Sequence, residues 1–503
     1  MKQKTLFFID GWFLHFGIAK YIQENSDMEL YAVIDVEEKA KKFFQEQEIV
    51  KFKKFWFFMD NIQTNKKPDI EYLTSIEEKY KINLWNIAYS DKEFYQYNLI
   101  HQFTQEEILS LLEQECKLYE MVLEQVKPDY LSIMLTSAHH QELLCALCKA
   151  KGVKILMLGT TRLRNGMMIS ETGGILDNIT SLDEYKSSMT VQEQEDYFSK
   201  YHASKEMDEY RISNFESQFF NRYVALLKFL FRPQTGSFKR RYWNYGRTRT
   251  KVLKNKLIHF LRKKYRGLFI DKCFQKIIDE NKPFIYFPLQ MEPERILLIN
   301  AKYYTNQISV ITNLAKSLPV GYTLYVKEHP IMSIWGWRHI NFYKQIMELP
   351  NVCLIHPSVP TDEIIKKCSL VITIAGTAAQ EAAFYNKPAI VFTDQIYCLL
   401  PSVYKVKSFD ELPEAIKTSL KKNIDGTSLQ KFIDLLKKET FEFPLVKITS
   451  DFTYRFGFKG LVMDAELPNE KVEKFLKDYE TEFHKLGEEH MKKIEIHRKM
   501  KNS

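Results

Sequence analysis

The stretch 370-LVITIAGTAAQEAAFYNKPAIVF-392 contains the pattern that decides the fold. An apolar run at 370–375 ends at Gly376, a segment with helical spacing follows from Thr377, and a second apolar run occupies 388–392. Short apolar runs that alternate with helical segments are typical of strands in a parallel sheet. The stretch therefore predicts a strand–helix–strand unit of an α/β protein.

The same alternation extends in both directions and forms two blocks, of which the second begins near residue 282. We therefore predict an α/β fold with two Rossmann-like domains facing a cleft, because ligands of such sheets bind where the strands end. The predicted parts are an N-terminal Rossmann-like domain (1–180), a helical and basic connecting region (181–280), a C-terminal Rossmann-like domain (281–440) and a C-terminal extension with a charged helix (441–503).

Composition predicts a soluble protein of the cytoplasm. No apolar run reaches the roughly 18–20 residues that a membrane-spanning helix needs, and Asp10 interrupts the N-terminal apolar patch, which argues against a signal peptide. The seven cysteines lack the spacing of a disulfide framework, as expected of reduced thiols. Cys145 and Cys148 form a CxxC inside an apolar helical segment, where a buried helix face is favoured over a zinc or redox site.

Basic residues are concentrated in one segment. The net charge is +8, and no acidic residue occurs between Ser217 and Ile270. The lysines and arginines of 232–266 are interleaved with aromatic residues, a pattern that suits anionic lipid headgroups, a phosphorylated acceptor or nucleic acid. A solvated linker and helix remains an equal alternative. Because no nucleic-acid-binding motif accompanies the charge, we expect peripheral contact with an anionic membrane and no nucleic acid partner.

Polar residues follow three predicted strands of the second block. Gln290 follows one strand, the pair Lys327 and His329 follows the next, and Gly376 follows a third. Pro330 holds His329 in an extended backbone, and a glycine before a helix lets a ligand approach N–H groups that favour phosphate. A structural histidine and an ordinary strand–helix turn are the alternatives. The candidate nucleotide-binding residues are Gln290, Lys327, His329, Pro330, Gly376, Thr377 and Glu381.

Two carboxylates bracket a proline after the strand at 282–290. Glu292 and Glu294 stand on this rigid loop, and glycosyl transfer needs a carboxylate as base or nucleophile. Arg295 is an alternative partner that would make one of them part of a structural ion pair. No Asp-x-Asp metal signature and no phosphate loop of nucleotide hydrolases occurs, so we expect no metal and no cofactor.

The motifs FPLQxxPE, YVKEHP, LPNV, TxxGTAxxEA and NKPAIVF, in this order, resemble the capsule polysaccharide biosynthesis family over about residues 282–420. The family consists of GT-B glycosyltransferases similar to bacterial 3-deoxy-manno-octulosonic acid transferases. The resemblance implies that His329 and Pro330 contact the phosphate of a CMP-sugar and that Gly376, Thr377 and Glu381 form the nucleotide-binding turn. It further implies that Gln290 belongs to a Gln-x-x-x-Asp element, in which Glu294 replaces the catalytic aspartate.

Residues of the first block are candidates for the acceptor side of the cleft. Asp10, His139 and Arg162 each follow a predicted strand, where they would contact an acidic sugar or a phosphorylated acceptor. Helix capping and surface solvation are the alternatives for His139 and Arg162.

We therefore predict a metal-independent glycosyltransferase of surface polysaccharide synthesis, with Glu294, Glu292 and His329 as catalytic residues. Its substrates would be a nucleotide sugar, with a CMP-linked acidic keto-sugar favoured, and a glycan or lipid-linked acceptor. It would lie in the cytoplasm, peripherally on the inner face of the cell membrane. The alternatives are a nucleotide-sugar epimerase, a polyol-phosphate transferase, or a non-catalytic nucleotide-sugar-binding partner of the export machinery.

Overall fold

A computed structural model of the protein describes residues 2–63, 66–95, 98, 100–163, 165–185, 190, 193, 197, 224, 227, 230–231, 240–292, 294–424, 426–457 and 466–502. Arg164, Pro293 and residues 232–239 of the predicted basic segment lie outside these ranges. The chain forms two compact units. Unit 1 comprises Met1–Asp177, Tyr201–Arg247 and Glu439–Ser503, and unit 2 comprises Asn178–Lys200 and Thr248–Lys438.

Unit 1 is built on a seven-stranded sheet of order β13-β6-β5-β4-β1-β2-β3. Its strands are β1 (Lys4–Ile9), β2 (Glu29–Ile34), β3 (Lys54–Phe57), β4 (Tyr130–Met134), β5 (Lys154–Thr160), β6 (Gly166–Ser170) and β13 (Phe441–Glu442). Helices pack on both faces over two apolar clusters. The helices of the first 150 residues are α1 (Leu14–Asn25), α2 (Glu38–Glu46), α3 (Ile70–Tyr80), α4 (Leu84–Ala88), α5 (Gln105–Val126) and α6 (His139–Ala150).

Unit 2 is built on a six-stranded parallel sheet of order β12-β11-β10-β7-β8-β9. Its strands are β7 (Phe284–Pro288), β8 (Thr323–Lys327), β9 (Val352–Ile355), β10 (Leu370–Thr373), β11 (Ala389–Val391) and β12 (Val403–Lys405). Its helices are α7 (Arg249–Cys273), α8 (Gln307–Ser317), α9 (Met332–Trp335), α10 (Ile340–Met347), α11 (Thr361–Lys367), α12 (Ala378–Phe384), α13 (Leu412–Lys421) and α14 (Thr427–Glu439).

The predicted α/β fold class is confirmed, because each unit has a doubly wound sheet whose winding direction reverses beside its first strand. The strands and helices predicted at 370–392 are β10, α12 and β11. A capping box of Thr104 and Glu107 begins α5, a pattern that the sequence itself carries. Thr361 is the first residue of α11, which Pro360 precedes. The predicted cleft between the two domains stays a prediction.

The C-terminal residues contribute to the fold of unit 1. β13 pairs antiparallel with β6, and three helices follow it: α15 (Leu445–Phe456), α16 (Asn469–Asp478) and α17 (Glu480–Asn502). The single charged helix predicted for the C-terminal extension is therefore two helices, α16 and α17. Val472, Phe475 and Leu486 are fully buried in one of the clusters of unit 1. The segment predicted as a C-terminal extension thus supplies part of a core.

Candidate functional site

Three neighbouring strands of unit 2 end at the candidate site. Gln290 follows β7, His329 follows β8 and Gly376 follows β10. These strands lie side by side and run parallel, so the three residues lie at the same edge of the sheet. The winding direction reverses between β7 and β10, and open α/β sheets bind ligands at such a switch point.

The side chain of Gln290 joins the end of β7 to the end of β10. Its Nε2 donates to Thr373 Oγ1 at 2.8 Å, and the same hydroxyl accepts from the N–H of Gly376 at 3.1 Å. A Cβ at residue 376 would lie 2.8 Å from Gln290 Nε2 and 2.7 Å from Thr373 Oγ1. The position that a Cβ would take at residue 376 is therefore occupied by the side chains of Gln290 and Thr373.

Arg338 joins the end of β7 to the end of β8. Its Nε donates to Glu328 Oε2 at 2.9 Å, its Nη1 lies 2.5 Å from Glu292 Oε2, and its Nη2 donates to the carbonyl oxygen of Gln290. The hydroxyl of Tyr343 donates to the same oxygen of Glu328 at 2.7 Å. Arg338 and Glu328 are both buried, so each depends on the other for compensation of its charge.

His329 is oriented by hydrogen bonds of its own loop. Its N–H donates to Glu328 Oε1 at 2.7 Å, and its Nδ1 accepts from the N–H of Ile331 at 3.3 Å. Burial, followed by the charges of Arg338 and Lys327, lowers the pKa of His329 to about 4. The ring is thus neutral near pH 7 and carries its proton on Nε2, which makes Nε2–H the donor available to an anionic ligand.

Lys327 is the last residue of β8. It is 3% exposed, and its Nζ donates to Thr361 Oγ1 at 2.8 Å. Burial lowers the pKa of Lys327 to about 8, although Glu381 acts in the opposite direction. Glu381 Oε1 accepts from Thr377 Oγ1 at 2.9 Å. Burial raises the pKa of Glu381, although the hydrogen bond from Thr377 and the charge of Lys327 lower it.

Exposure separates the predicted residues into two groups. Those with partly or fully exposed side chains or backbone are Glu292, Glu294, His329, Pro330, Gly376, Thr377 and Glu381. Gln290 and Lys327 are buried. Gln290 and Lys327 therefore act as positioning residues in this structure, whereas the first group forms the surface that a ligand would contact.

The two candidate catalytic carboxylates differ in their surroundings. Glu292 is bound by Arg338 and accepts from Nε2 of Gln307, whose side chain also bonds the backbone of Gln290. Glu294 is half-buried and follows on the same loop. Glu292 is thus part of a structural ion pair, formed with Arg338 and not with the Arg295 that the sequence offered. The catalytic role of Glu294 stays a prediction.

The candidate acceptor residues of unit 1 occupy different environments. Asp10 Oδ1 accepts from the N–H of Trp12 at 3.0 Å, and burial raises the pKa of Asp10 to about 6. Arg162 is half-buried in the turn between β5 and β6, with φ of 59°. His139 has no exposed surface, so it cannot contact an acceptor in this structure. The roles of Asp10 and Arg162 stay predictions.

His139 instead bridges two acidic residues that the sequence analysis missed. Its Nδ1 lies 2.9 Å from Asp91 Oδ2, and its Nε2 lies 3.0 Å from Glu115 Oε1. Burial alone would lower the pKa of His139, but the two carboxylates outweigh it and raise the pKa to about 9. Glu115 falls on the apolar face of α5 between Leu112 and Tyr119, and that position was the available signal.

The chain is thus an α/β protein of two units, each with a doubly wound sheet, and the strand ends of unit 2 are tied together by one hydrogen-bond network. Residues 198–400 match the family model described as capsule polysaccharide biosynthesis protein. The match contains Gln290, His329 and Gly376, so the resemblance that the sequence motifs predicted is confirmed over these residues. No helix in the described part of the chain combines the length and hydropathy of a bilayer-spanning segment.

Solved structures with similar chain folds include two kinds of enzyme. UDP-GlcNAc 2-epimerase from Methanocaldococcus jannaschii is 12% identical, with 87% of this chain and 100% of that chain covered and a TM-score of 0.23. KpsC of Thermosulfurimonas dismutans, a beta Kdo 2,7 transferase, is 13% identical. The match covers 70% of this chain and 87% of that chain, with a TM-score of 0.30. At these TM-scores neither similarity bears on what this chain binds. No curated protein matches the chain in sequence.

Proposed function

We propose that the chain is a glycosyltransferase of capsular polysaccharide synthesis. It transfers a sugar from a nucleotide donor to a glycan or lipid-linked acceptor, with a CMP-linked acidic keto-sugar as the favoured donor. The reacting centre uses no metal ion. The observation that carries the proposal is the connected network in which Gln290, Arg338 and Thr373 tie the ends of β7, β8 and β10 to one another.

The proposed donor site uses neutral and positive groups against the phosphate. Nε2–H of His329 donates to a phosphate oxygen, and Lys327 contributes positive charge from its buried position. Thr377 and Glu381 offer a hydroxyl and a carboxylate to the sugar hydroxyls of the nucleotide. As the bond to the transferred sugar breaks, the phosphate gains negative charge, and fixed donors stabilise it; removing one such donor costs about 10²–10³ in rate.

Glu294 is the proposed reacting carboxylate. A carboxylate at the end of β7 either takes the proton of the acceptor hydroxyl or attacks the sugar as a nucleophile. Glu292 supports it indirectly, because its ion pair with Arg338 holds the same loop at the network.

Thermal-shift titration with CMP, UDP and GDP tests the donor site. A nucleotide that binds the native state raises its melting temperature, and we expect CMP to give the largest shift. His329→Ala should remove most of that shift. His356→Ala is the matched control, since His356 follows the edge strand β9 and pairs with Asp271 at 3.0 Å. The donor site would be refuted if CMP, UDP and GDP each shifted the melting temperature of His329→Ala as much as that of the wild type.

Glu294→Gln tests the chemistry separately from binding. We expect the variant to keep the nucleotide-induced shift and to lose transfer of sugar to an acceptor. Full transfer by Glu294→Gln would exclude the proposed role of this carboxylate. If the wild-type protein converts a nucleotide sugar into its epimer without any acceptor product, it is an epimerase. If it binds nucleotide sugar without converting it, it is a non-catalytic binding partner.

We also infer that α7 contacts an anionic membrane surface. Leu257, Phe260, Leu261 and Leu268 are 62%, 55%, 57% and 69% exposed, and their spacing places them on one face of the helix. Residues 249–270 contain eight basic residues and no acidic one: Arg249, Lys251, Lys254, Lys256, Arg262, Lys263, Lys264 and Arg266. An apolar stripe flanked by lysine and arginine is typical of a helix that lies in the lipid headgroup region.

Vesicle co-sedimentation tests this contact. The full chain should sediment with phosphatidylglycerol vesicles and remain in solution with phosphatidylcholine vesicles. The double variant Leu257→Ser and Leu261→Ser should lose the sedimentation. A matched control replaces Tyr303 and Val320, which are exposed apolar residues elsewhere on unit 2, with serine. Retained sedimentation of the α7 variant would contradict the inference.

A further inference from the structure

A second cluster of chemically competent side chains lies inside unit 1. One ligand atom from each of Glu115, His139 and His140 lies within 4.8 Å of the other two. The three residues are 0%, 0% and 2% exposed. They come from the middle of α5 and from the first turn of α6. None of them takes part in the donor site of unit 2.

Asp91 fixes the orientation of the His139 ring. Asp91 Oδ2 accepts from the backbone N–H of His139 at 3.2 Å and from the hydroxyl of Tyr242 at 2.7 Å, and it lies 2.9 Å from His139 Nδ1. This carboxylate therefore holds the proton of the ring on Nδ1. A histidine that ligates a metal through one ring nitrogen typically donates its other N–H to a carboxylate in this way.

When the ring is neutral, the lone pair of His139 Nε2 faces a carboxylate oxygen, which is also an acceptor. Nε2 lies 3.0 Å from Glu115 Oε1, and two acceptors at that distance require either a proton between them or a metal ion bound to both. A proton on Nε2 is one solution and a metal ion is the other. Imidazole nitrogen and carboxylate oxygen are ligands of divalent transition metals.

The remaining polar atoms of the cluster distinguish these two solutions. Glu115 Oε2 and both ring nitrogens of His140 are buried and have no hydrogen-bond partner among the described residues. His140 Nε2 lies 3.5 Å from Asp35 Oδ2, at the limit of a hydrogen bond, while Asp35 Oδ1 accepts from Arg241 Nη1 at 2.9 Å. A proton on His139 Nε2 would still leave Glu115 Oε2 and His140 Nδ1 without a partner, and buried unsatisfied atoms are costly. A metal ion gives Glu115 and His140 a partner.

We propose that Glu115, His139 and His140 bind one divalent transition-metal ion of the zinc class, with Asp91 as the carboxylate that orients His139. The ion would fasten α5 to the start of α6. Its role is structural, because the site has no exposed surface. The proposed ion in unit 1 takes no part in the metal-independent sugar transfer proposed for unit 2.

Metal content and cobalt spectroscopy test the site on the full chain without a histidine tag. After expression with zinc and dialysis against metal-free buffer, we expect about one zinc ion per chain. Chelation should lower the melting temperature, and added Zn²⁺ should restore it. Co²⁺ added to the metal-free protein should give visible absorption bands that Zn²⁺ abolishes.

Two variants remove ligands with little change of shape. His140→Phe keeps a ring stacked on Phe58, which lies 4.7 Å from the His140 ring, and Glu115→Gln keeps an acceptor for His139. Both should lose the zinc and the cobalt bands. Asp91→Asn should keep the ligands but weaken the affinity by about 10–100-fold. His484→Phe, a change of a side chain that is 47% exposed on α17, is the control and should bind as the wild type does.

A folded wild-type protein that carries no zinc and shows neither cobalt bands nor a zinc-dependent melting temperature would refute the site. Zinc that stays bound in both His140→Phe and Glu115→Gln would show that the ion lies elsewhere and would overturn the assignment. If His140→Phe does not fold, Glu115→Gln alone decides.

Discussion

Gly376 shows how a single missing side chain allows two strand ends to meet. A Cβ there would come within 2.8 Å of Gln290 Nε2 and 2.7 Å of Thr373 Oγ1, which is closer than non-bonded atoms pack. The network of the donor site therefore depends on glycine at this position, for a packing reason and not for a backbone conformation.

Gly376→Ala is expected to displace Gln290 and to lower the free energy of unfolding by about 1–3 kcal/mol, the usual cost of overpacking. Urea denaturation followed by circular dichroism measures the change. Gly11→Ala is the control, because nothing lies within 4 Å of a Cβ at that position. An equal stability of both variants would show that Gln290 can move at no cost.

Arg338 compensates two carboxylates, so its removal should have a larger effect. Arg338→Met leaves Glu328, which has no exposed surface, without its cation, and breaking such a buried pair costs about 3–5 kcal/mol. The same urea experiment applies. Lys366→Met removes a pair with Asp362 in which both side chains are 53% exposed, and it should cost at most about 1 kcal/mol. A small effect of Arg338→Met would mean that Glu328 becomes protonated or hydrated.

At the scale of elements, α1 packs closely against α17 in unit 1. A Cβ at Gly17 would overlap the ring of Phe483, and a Cβ at Gly487 would overlap the ring of Tyr21. Each helix therefore presents a glycine to an aromatic ring of the other. The sequence analysis identified neither glycine, because a contact between helices more than 450 positions apart leaves no local pattern.

The contact of α1 with α17 makes unit 1 sensitive to acid. Burial, followed by the charge of His490, lowers the pKa of His15 to about 3, and burial lowers the pKa of His490 to about 4. The unfolded chain binds protons at these histidines below their ordinary pKa of 6.5, whereas the folded chain does not. Stability is therefore present above pH 6.5 and is lost as the pH falls toward 4.

His490→Asn tests this pH dependence. The amide can keep the hydrogen bond to the Leu486 carbonyl, which lies 2.8 Å from His490 Nδ1, but it does not titrate. Between pH 7 and 4.5 the wild type should lose roughly 2–3 kcal/mol more than the variant. Melting curves at both pH values measure the difference. Parallel curves for the two proteins would mean that other groups control the acid response.

At the scale of the whole molecule, unit 1 is closed by residues from both ends of the chain. One of its apolar clusters combines Phe16 and Phe44 with Phe452, Phe475 and Phe483. Unit 2 is formed by the chain between these parts, apart from residues 201–247. The two units should therefore respond differently to loss of the C-terminus.

A chain ending at Lys438 should retain a folded unit 2 and lose a folded unit 1. Burial of one large apolar side chain is worth about 1.5–3 kcal/mol, so removal of several exceeds the roughly 5–15 kcal/mol stability of a domain. Limited proteolysis should leave a fragment starting near residue 248. A chain ending at Arg498 keeps the cluster and is the control. Protection of residues 2–177 in the shorter chain would contradict the expectation.

Local sequence pattern was sufficient for most elements. β10, α12 and β11 follow from apolar runs and helical spacing, and the capping box of α5 follows from Thr104 and Glu107. β6, β12 and β13 were missed; β12 and β13 lack the continuous apolar run that marks β10 and β11. The grouping of Gln290, His329 and Gly376 at one edge of the sheet followed from the rule that the carboxyl ends of parallel strands lie together.

The sequence by itself determined the α/β class, the positions of the polar residues after β7, β8 and β10, and the family resemblance, because all three are written in short-range periodicity and motif. Only the tertiary structure decided that Gln290 and Lys327 are buried supports, that Arg338 neutralises Glu292, and that His139 lies between Asp91 and Glu115. These facts depend on which distant side chains share a low-dielectric interior, and burial and charge pairing there are set by packing and not by neighbours along the chain.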